Sequence, residues 1–285
     1  HMSISRQNLT AVIVTFKSKN VIHDCIRSIP ESIKIILIEN SMDKKFKENI
    51  ENRYQNVKCI LSSENLGMGS GNNFGLKHVK TDYAFVLNPD VILETNCIDE
   101  IILSSQKIES FSIIAPISNS IENQNYKLGK NHVYDNNNAF KVKSVDGYAM
   151  LLNLKKLNQL QIFDDHKYFD ENFFMYLEND DLCKRLIDCG ENIYAVPNSK
   201  IKHLGAKSVD EKYKYEIELS RNWHWVWSKF YYNKKHFGFF SALLNGLPSF
   251  ISASIKFIFY SLIINRKKSK IYLNRMLGFI NALLG

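Results

Sequence analysis

Leu9-Thr10-Ala11-Val12-Ile13-Val14-Thr15-Phe16 is a nearly continuous apolar run. A strand wet on one face would alternate apolar with polar residues. This run reads instead as a central parallel strand, buried on both sides. Polar Lys17–Asn20 follow, and then Val21, Ile22, Cys25, Ile26 and Ile29 recur on one helical face before Pro30. Ile33–Ile38 repeats the strand pattern and ends in Glu39-Asn40-Ser41. Charged Lys44–Tyr54 reads as an exposed helix, and Val57–Leu61 as a third strand. The alternation of strands and helices predicts an α/β fold with a mostly parallel sheet flanked by helices.

Further along, Tyr83-Ala84-Phe85-Val86-Leu87 is a short buried strand that stops at Asn88-Pro89-Asp90. Pro89 cannot donate to a sheet ladder, so the strand ends there and Asp90 is left at its C-terminal edge. Open α/β sheets bind ligands in the crevice outside the carboxyl ends of their strands. Before this strand, Glu64–Lys77 holds four of the chain's twelve glycines. With Asn72–Val79 read as helical, the glycines would open a helix whose N-terminus faces an anion. The stretch is neither a Walker loop nor a GxGxxG fingerprint. Ile98–Ile108 reads as a helix, Phe111–Pro116 as a strand and Ile121–Asn138 as a loop. Lys143–Leu152 leads from Asp146-Gly147 into a strand, and Ile193–Val196 is a strand closed by Pro197.

The densest acidic cluster is Glu178-Asn179-Asp180-Asp181, after Phe173-Phe174-Met175-Tyr176. Acids favour the first turn of a helix, where they meet the positive end of its dipole. Glu178, Asp181 and Arg185 would share a helix face. The preceding aromatic segment would partly desolvate the carboxylates, which is how a carboxylate becomes a base near neutral pH.

These stretches, in this order and spacing, resemble family 2 glycosyltransferases of the GT-A fold, a Rossmann-like architecture, and in particular their rhamnosyltransferase-like branch. The resemblance runs from Leu9 to Ser208, through Val14-Thr15-Phe16, Ile38–Ser41, Asn65–Gly75, Leu87–Asp90, Asp146-Gly147, Phe173–Arg185 and His203-Leu204-Gly205. It implies an inverting, metal-dependent transfer of a sugar, rhamnose foremost, from a nucleotide-diphosphate donor (dTDP- or UDP-linked). The acceptor would be a glycan or lipid-linked molecule in bacterial surface polysaccharide synthesis. It implies Asp90 and His203 as ligands of Mg²⁺ or Mn²⁺, hard ions suited to carboxylate and diphosphate oxygens. Thr15, Glu39, Asn65, Gly67, Asn72, Asn88 and Gly147 match donor-binding positions. Glu39 stands where relatives have Asp, and Asn88 where a strict DxD motif places its first acid. Asn179 stands where relatives carry the base, and an amide cannot act as one. The catalytic role then falls to Glu178, Asp180 or Asp181, with Glu178 or Asp180 favoured. Two rival readings remain: a nucleotidyltransferase, lacking here a glycine-rich triphosphate loop after the first strand, and a catalytically impaired nucleotide-sugar-binding protein.

Charge divides the chain. The net charge is +8, yet Leu219–Gly285 holds ten Lys/Arg and no Asp or Glu, so the remainder nets −2. This predicts two domains, a catalytic one over 3–215 and a basic, aromatic helical segment over 216–285. Interleaved aromatic and basic residues on apolar helices suit an anionic membrane surface, with packing or homodimer formation as other uses. A nucleic-acid binder would leave the acidic and glycine-rich motifs without a use. Five scattered cysteines without metal-ligand spacing suit reduced thiols. Ser3–Asn8 is too polar for a signal peptide. The expectation is a cytoplasmic protein, peripheral at the inner face of the cell membrane.

Overall fold

The computed structural model describes residues 3–120, 123–205 and 211–285. Residues 121–122 of the expected loop and 206–210 of the expected catalytic domain, with the Ser208 end of the resemblance, lie outside the described residues. The chain divides into two compact units. One comprises residues up to 171 and 178–209; the other comprises 172–177 and 210–285.

The first unit is built on a nine-stranded sheet. Its first half follows the sequence pattern: β1 (Leu9–Thr15), α1 (Ile22–Ser28), β2 (Lys34–Glu39), α2 (Lys44–Arg53), β3 (Val57–Leu61), α3 (Gly67–Leu76) and β4 (Tyr83–Leu87). Every residue of β1 and of β4 is buried, as their unbroken apolar runs require. These strands run parallel in the order β3-β2-β1-β4, so their C-terminal ends share one edge. Thr15 pairs with Glu39 in that register, and Ile13 with Leu87.

The second half departs from a mostly parallel sheet. It adds β5 (Val91–Leu93), α4 (Cys97–Ser105), β6 (Ile113–Ser118), β7 (Tyr126–Lys127), β8 (Phe140–Lys141), β9 (Ser144–Val145), β10 (Ala149–Asn153), α5 (Leu154–Leu157), α6 (Glu178–Asp188) and β11 (Ile193–His203). Strand β10 is antiparallel to both β4 and β6. Strand β11 runs parallel to β6 and antiparallel to β5 and β8. The sheet is therefore mixed. Pro197 does not close β11. The ladder with β6 slips between Val196 and Lys200 and resumes at Lys200, and β11 continues to His203 against β5, the bulge absorbing a residue that cannot donate.

The glycine-rich stretch differs from its sequence reading. Helix α3 begins at Gly67, so Gly69 and Gly71 lie within it rather than ahead of it, together with Gly75. Their role is close approach to the sheet. A Cβ on Gly75 would stand 2.5 Å from Val12 Cγ1, and one on Gly71 would stand 3.0 Å from Val14 Cγ1. Two apolar layers, one on each side of the sheet, form the core.

The second unit contains three long helices, α7 (Lys214–Phe237), α8 (Phe239–Leu262) and α9 (Arg266–Leu284). Its small core centres on Phe230, Ala242, Phe279 and Ala282. The Asn172–Leu177 segment docks on α7: Phe173 meets Tyr231 edge-on, Phe174 stacks on His224, and Tyr176 meets Trp225. Those aromatics thus pack on α7. The tryptophans also turn inward in part, with Trp223 and Trp227 stacked on each other.

Candidate functional site

The site forms where the strands of the first unit end. After β4 the chain turns through Asn88-Pro89-Asp90 and re-enters the sheet as β5. Antiparallel pairing of β5 with β11 sets His203 opposite Val91, and the Leu204 N–H donates to the Asp90 carbonyl at 3.0 Å. Residues more than a hundred positions apart are thereby stitched together. His203 Nε2 lies 3.3 Å from Asp90 Oδ2, and Asp90 is buried. The His203 ring is held flat against Tyr148, centroids 4.1 Å apart and planes within 8°. Tyr148 is anchored in turn by its hydroxyl, which donates to Asn123 Oδ1 at 2.9 Å. Burial raises the Tyr148 phenol well above its usual range, so it stays neutral.

The residues matched to donor positions, with Asn40 added, fall into two groups. Asn40, Asn72 and Asn88 are the amides near the strand-end edge, and each has a buried Oδ1 without a hydrogen-bond partner among the described residues. Buried acceptors of this kind fit the hydroxyls and N–H groups of a nucleoside better than its phosphates. Asn40 was not singled out from sequence; its signal was its place one residue past a buried strand. Other matched residues are spent on the fold. Thr15 Oγ1 donates to the Ile38 carbonyl at 3.3 Å. Glu39 is buried, and its carboxylate accepts from the backbone N–H of Ser41 at 3.1 Å and of Asp43 at 2.7 Å. The longer Glu thus caps the turn into α2. Asn65 Oδ1 accepts from the Gly67 N–H at 3.2 Å, and Gly67 takes the left-handed backbone, φ 77°. Gly147 packs against Asn179, where an added Cβ would lie 3.4 Å from the Asn179 Cβ.

The acidic segment opens α6, as its composition predicts. Tyr176 and Leu177 enter it through two successive left-handed residues, φ 71° and 65°, a costly backbone that needs surrounding structure to hold it. The four polar side chains then have different fates. Asp181 is fully buried and paired with Arg185 at 2.9 Å, and Arg185 also donates to the Tyr168 carbonyl. Glu178 is buried, and Oε2 has no partner among the described residues. Burial pushes its carboxyl from the ordinary 4.5 up to about 7. Asn179 donates to the Val145 carbonyl at 2.8 Å. Asp180 retains some exposure and pairs with Lys127, both oxygens at 3.1 Å.

Lys127 joins Asp180 to Asp146, which has no catalytic role in the sequence reading. Antiparallel pairing of β7 with β9 sets Lys127 opposite Ser144, and the Asp146 N–H donates to the Asn125 carbonyl at 3.2 Å. Asp146 Oδ1 then stands 4.0 Å from Lys127 Nζ. Burial lifts the Asp146 carboxyl above its ordinary range; Lys127 and His203 oppose this and the Asp180 charge reinforces it. Asn179 lies against the same turn, bonded to Val145 and packed on Gly147. The carboxylate missing from position 179 is thus matched by one on the backbone that Asn179 touches.

Asp90 and His203 supply one carboxylate and one imidazole. Among the described residues no group of three or more His, Cys, Asp or Glu side chains could hold a metal ion. That donor set fits Mg²⁺ or Mn²⁺ of the kind completed by substrate phosphates and water. It does not fit a closed structural site, which takes four protein ligands.

The sequence profile of glycosyl transferase family 2 matches residues 10–179, a span that includes Asp90, Asp146 and the opening of α6. The chain belongs to this family. A low-salt glycan biosynthesis hexosyltransferase, Agl10 of Haloferax volcanii, is 24% identical over 201 residues, 62% of this chain and 61% of that protein. The chain therefore spans about six-tenths of that relative's length. Among solved structures, mannosyltransferase PcManGT from Pyrobaculum calidifontis, in complex with GDP-Man and Mn²⁺, superposes with a TM-score of 0.56 at 9% identity, covering 98% of this chain and 88% of that one. GalNAc-T7 with UDP, GalNAc and Mn²⁺ gives a TM-score of 0.56 at 13% identity over 78% of this chain and 50% of that one. TarS 1-349 of S. aureus with UDP-GlcNAc gives 0.54 at 11% identity, over 95% and 90%. The fold is GT-A, with C-terminal helices added.

Proposed function

We propose that the protein transfers a sugar from a nucleotide-diphosphate donor to a hydroxyl of a glycan or lipid-linked acceptor, with inversion, in bacterial surface polysaccharide synthesis. The observation that carries this is the Asp90–His203 pair, 3.3 Å apart at the strand-end edge of a family 2 domain. Around it, Asn40, Asn72 and Asn88 present buried amide oxygens suited to a nucleoside. Asp90 and His203 would hold Mg²⁺ or Mn²⁺, which when bound offsets the charge of a departing diphosphate. Tyr148 fixes the His203 ring by stacking. We name dTDP-rhamnose as the first donor and UDP-sugars as the second, in keeping with the branch resembled and with the UDP and UDP-GlcNAc held by similar structures.

The base is placed on Asp146. The acceptor oxygen attacks the anomeric carbon as the bond to the diphosphate breaks, and the acceptor proton passes to the Asp146 carboxylate. Asp181 is committed to Arg185 and Glu178 is enclosed. Asp180 is held through both oxygens by Lys127, which it positions beside Asp146. Partial burial leaves the Asp146 carboxyl more basic than an ordinary aspartate, which favours proton acceptance near neutral pH. The helical unit, basic and free of acids from Leu219 onward, would hold the enzyme peripherally on the cytoplasmic face of the membrane, near a lipid-linked acceptor.

The test is a thermal-shift screen of nucleotide sugars with and without Mn²⁺, on the parent and on Asp90→Ala. A donor that stabilises the parent more strongly with Mn²⁺, and loses that increment in Asp90→Ala, is the expected result. An Mn²⁺ increment that survives in Asp90→Ala would overturn the metal assignment. Failure of every nucleotide sugar to stabilise the parent would overturn the donor class.

A further inference from the structure

Helix α8 has two faces of opposite fate. Ala242 and Ala253 are buried, and Gly246 faces Phe279 of α9, where a Cβ would stand 2.4 Å from the ring. On the other side, Phe240, Leu244, Ile251, Ile255, Ile258 and Leu262 are exposed by 78, 71, 55, 62, 57 and 77%. At 100° per residue these six fall within an arc of about 60°. The stripe runs the whole of α8, which is long and apolar enough by composition to cross a membrane, yet only 11% of its apolar window is buried. Contiguous apolar surface on this scale marks an interaction site.

The charges beside the stripe identify what covers it. Tyr260 of α8 and Tyr272 of α9 stack with ring planes 1° apart and centroids 5.5 Å apart. Lys256 and Arg275 lie over the Tyr272 ring at 5.4 and 5.7 Å, and Lys268 over the Tyr260 ring at 5.1 Å. The basic run Arg266-Lys267-Lys268 opens α9 just past the exposed Leu262, Ile263 and Ile264. No acid lies between Leu219 and Gly285. Apolar residues, tyrosines and cations side by side are the composition of a helix lying in a membrane interface. A spanning orientation fits less well. Lys256, Asn245 and five serines lie along α8, and its packed face would draw the charged helices α7 and α9 into hydrocarbon.

We infer that α8 lies in the plane of an anionic phospholipid bilayer, its Phe240–Leu262 stripe in the acyl boundary and the Lys256–Lys268–Arg275 cluster on the headgroups. This rests on the peripheral-membrane reading above and names the surface responsible. The experiment is flotation of the full chain with preformed vesicles of phosphatidylcholine alone or with 30% phosphatidylglycerol, on the order of the anionic content to which polybasic segments respond. The variants are Ile255→Glu with Ile258→Glu, both at exposed positions, and Lys256→Glu with Lys268→Glu. The parent is expected to float with anionic vesicles at least tenfold more than with neutral ones, and to be released by alkaline carbonate. Each double variant should lose about tenfold in binding while keeping the parent's circular dichroism spectrum and thermal midpoint. If the parent binds no vesicles, the membrane reading itself fails. If the parent binds and the Ile255/Ile258 variant binds equally, the α8 assignment alone fails. Resistance to carbonate overturns the in-plane arrangement. A dimer in light scattering that the same variant dissociates makes the occupant a second copy and overturns the proposal.

Discussion

Replacing Glu178 by Gln should stabilise the protein above neutral pH and leave it unchanged in acid. Glu178 opens α6 with its carboxyl enclosed and Oε2 unpartnered among the described residues. Burial raises the folded carboxyl from 4.5 to about 7, so between those values the folded chain keeps a proton that the unfolded chain has released. Stability linked to this group is intact below 4.5, falls as pH rises, and is fully lost above about 7. At about 1.4 kcal/mol per pH unit, that interval amounts to roughly 3 kcal/mol. Gln has the same shape and no charge to desolvate. Urea unfolding followed by far-ultraviolet circular dichroism, at pH 4, 5, 6, 7 and 8, measures the difference between variant and parent. The gain should be near zero at pH 4 and reach about 2–3 kcal/mol at pH 8. A difference that stays flat from pH 5 to 8, or a parent that is the more stable at pH 8, would refute the reasoning. Nucleoside-diphosphate release by the same variant tests the placement of the base away from Glu178, since turnover should survive.

Asp146→Asn should lower turnover by about 10²–10⁴-fold, the usual contribution of a positioned general base; steady-state kinetics within threefold of the parent would move the base to Asp180. Asn179→Asp introduces the carboxylate that the family resemblance implies at this position but removes the donor to Val145 and adds charge beside Asp146 and Asp180. It should cost about 1–3 kcal/mol in urea unfolding without raising turnover, and a faster, equally stable variant would contradict this. Gly75→Ala drives a methyl group to 2.5 Å from Val12 and should cost about 1–3 kcal/mol, read as a lower thermal midpoint; an unchanged midpoint would mean that α3 yields.

The first half of the fold was legible because its strands are buried on both faces. Such strands announce themselves as unbroken apolar runs, and β1 and β4 are buried throughout. The second half was less legible because its order depends on pairings between distant short segments. Nothing in the five residues Ala149–Asn153 says that they run antiparallel between β4 and β6. Pro197 read as a stop, since a proline normally ends a ladder, but a bulge carries β11 past it to His203. That continuation is what brings His203 to Asp90. The helix at the glycine-rich stretch reads as starting at Asn72 because glycine lowers helix propensity; α3 starts at Gly67, and close packing of Gly71 and Gly75 against Val14 and Val12 accounts for glycines inside it.

The base proposed at Asp146 was illegible for a related reason. From sequence, an amide at position 179 looks like a loss, because the only carboxylates in view are its neighbours along α6. In the fold, Asn179 touches the turn of residues 145–147, and a two-residue strand pairing brings Lys127 to the same place. An aspartate at 179 could not donate to Val145 and would stand among Asp146 and Asp180. An amide there satisfies the carbonyl and leaves the local charge to Asp146, Asp180 and the lysine between them. Asn179 and Asp146 are therefore one arrangement rather than a defect beside an unrelated acid. The double variant Asn179→Asp with Asp146→Asn tests this directly: it should recover turnover that Asp146→Asn alone loses, because the carboxylate returns to the other side of the same contact. Equal loss in the single and double variants would show that position 179 cannot present a base in this chain.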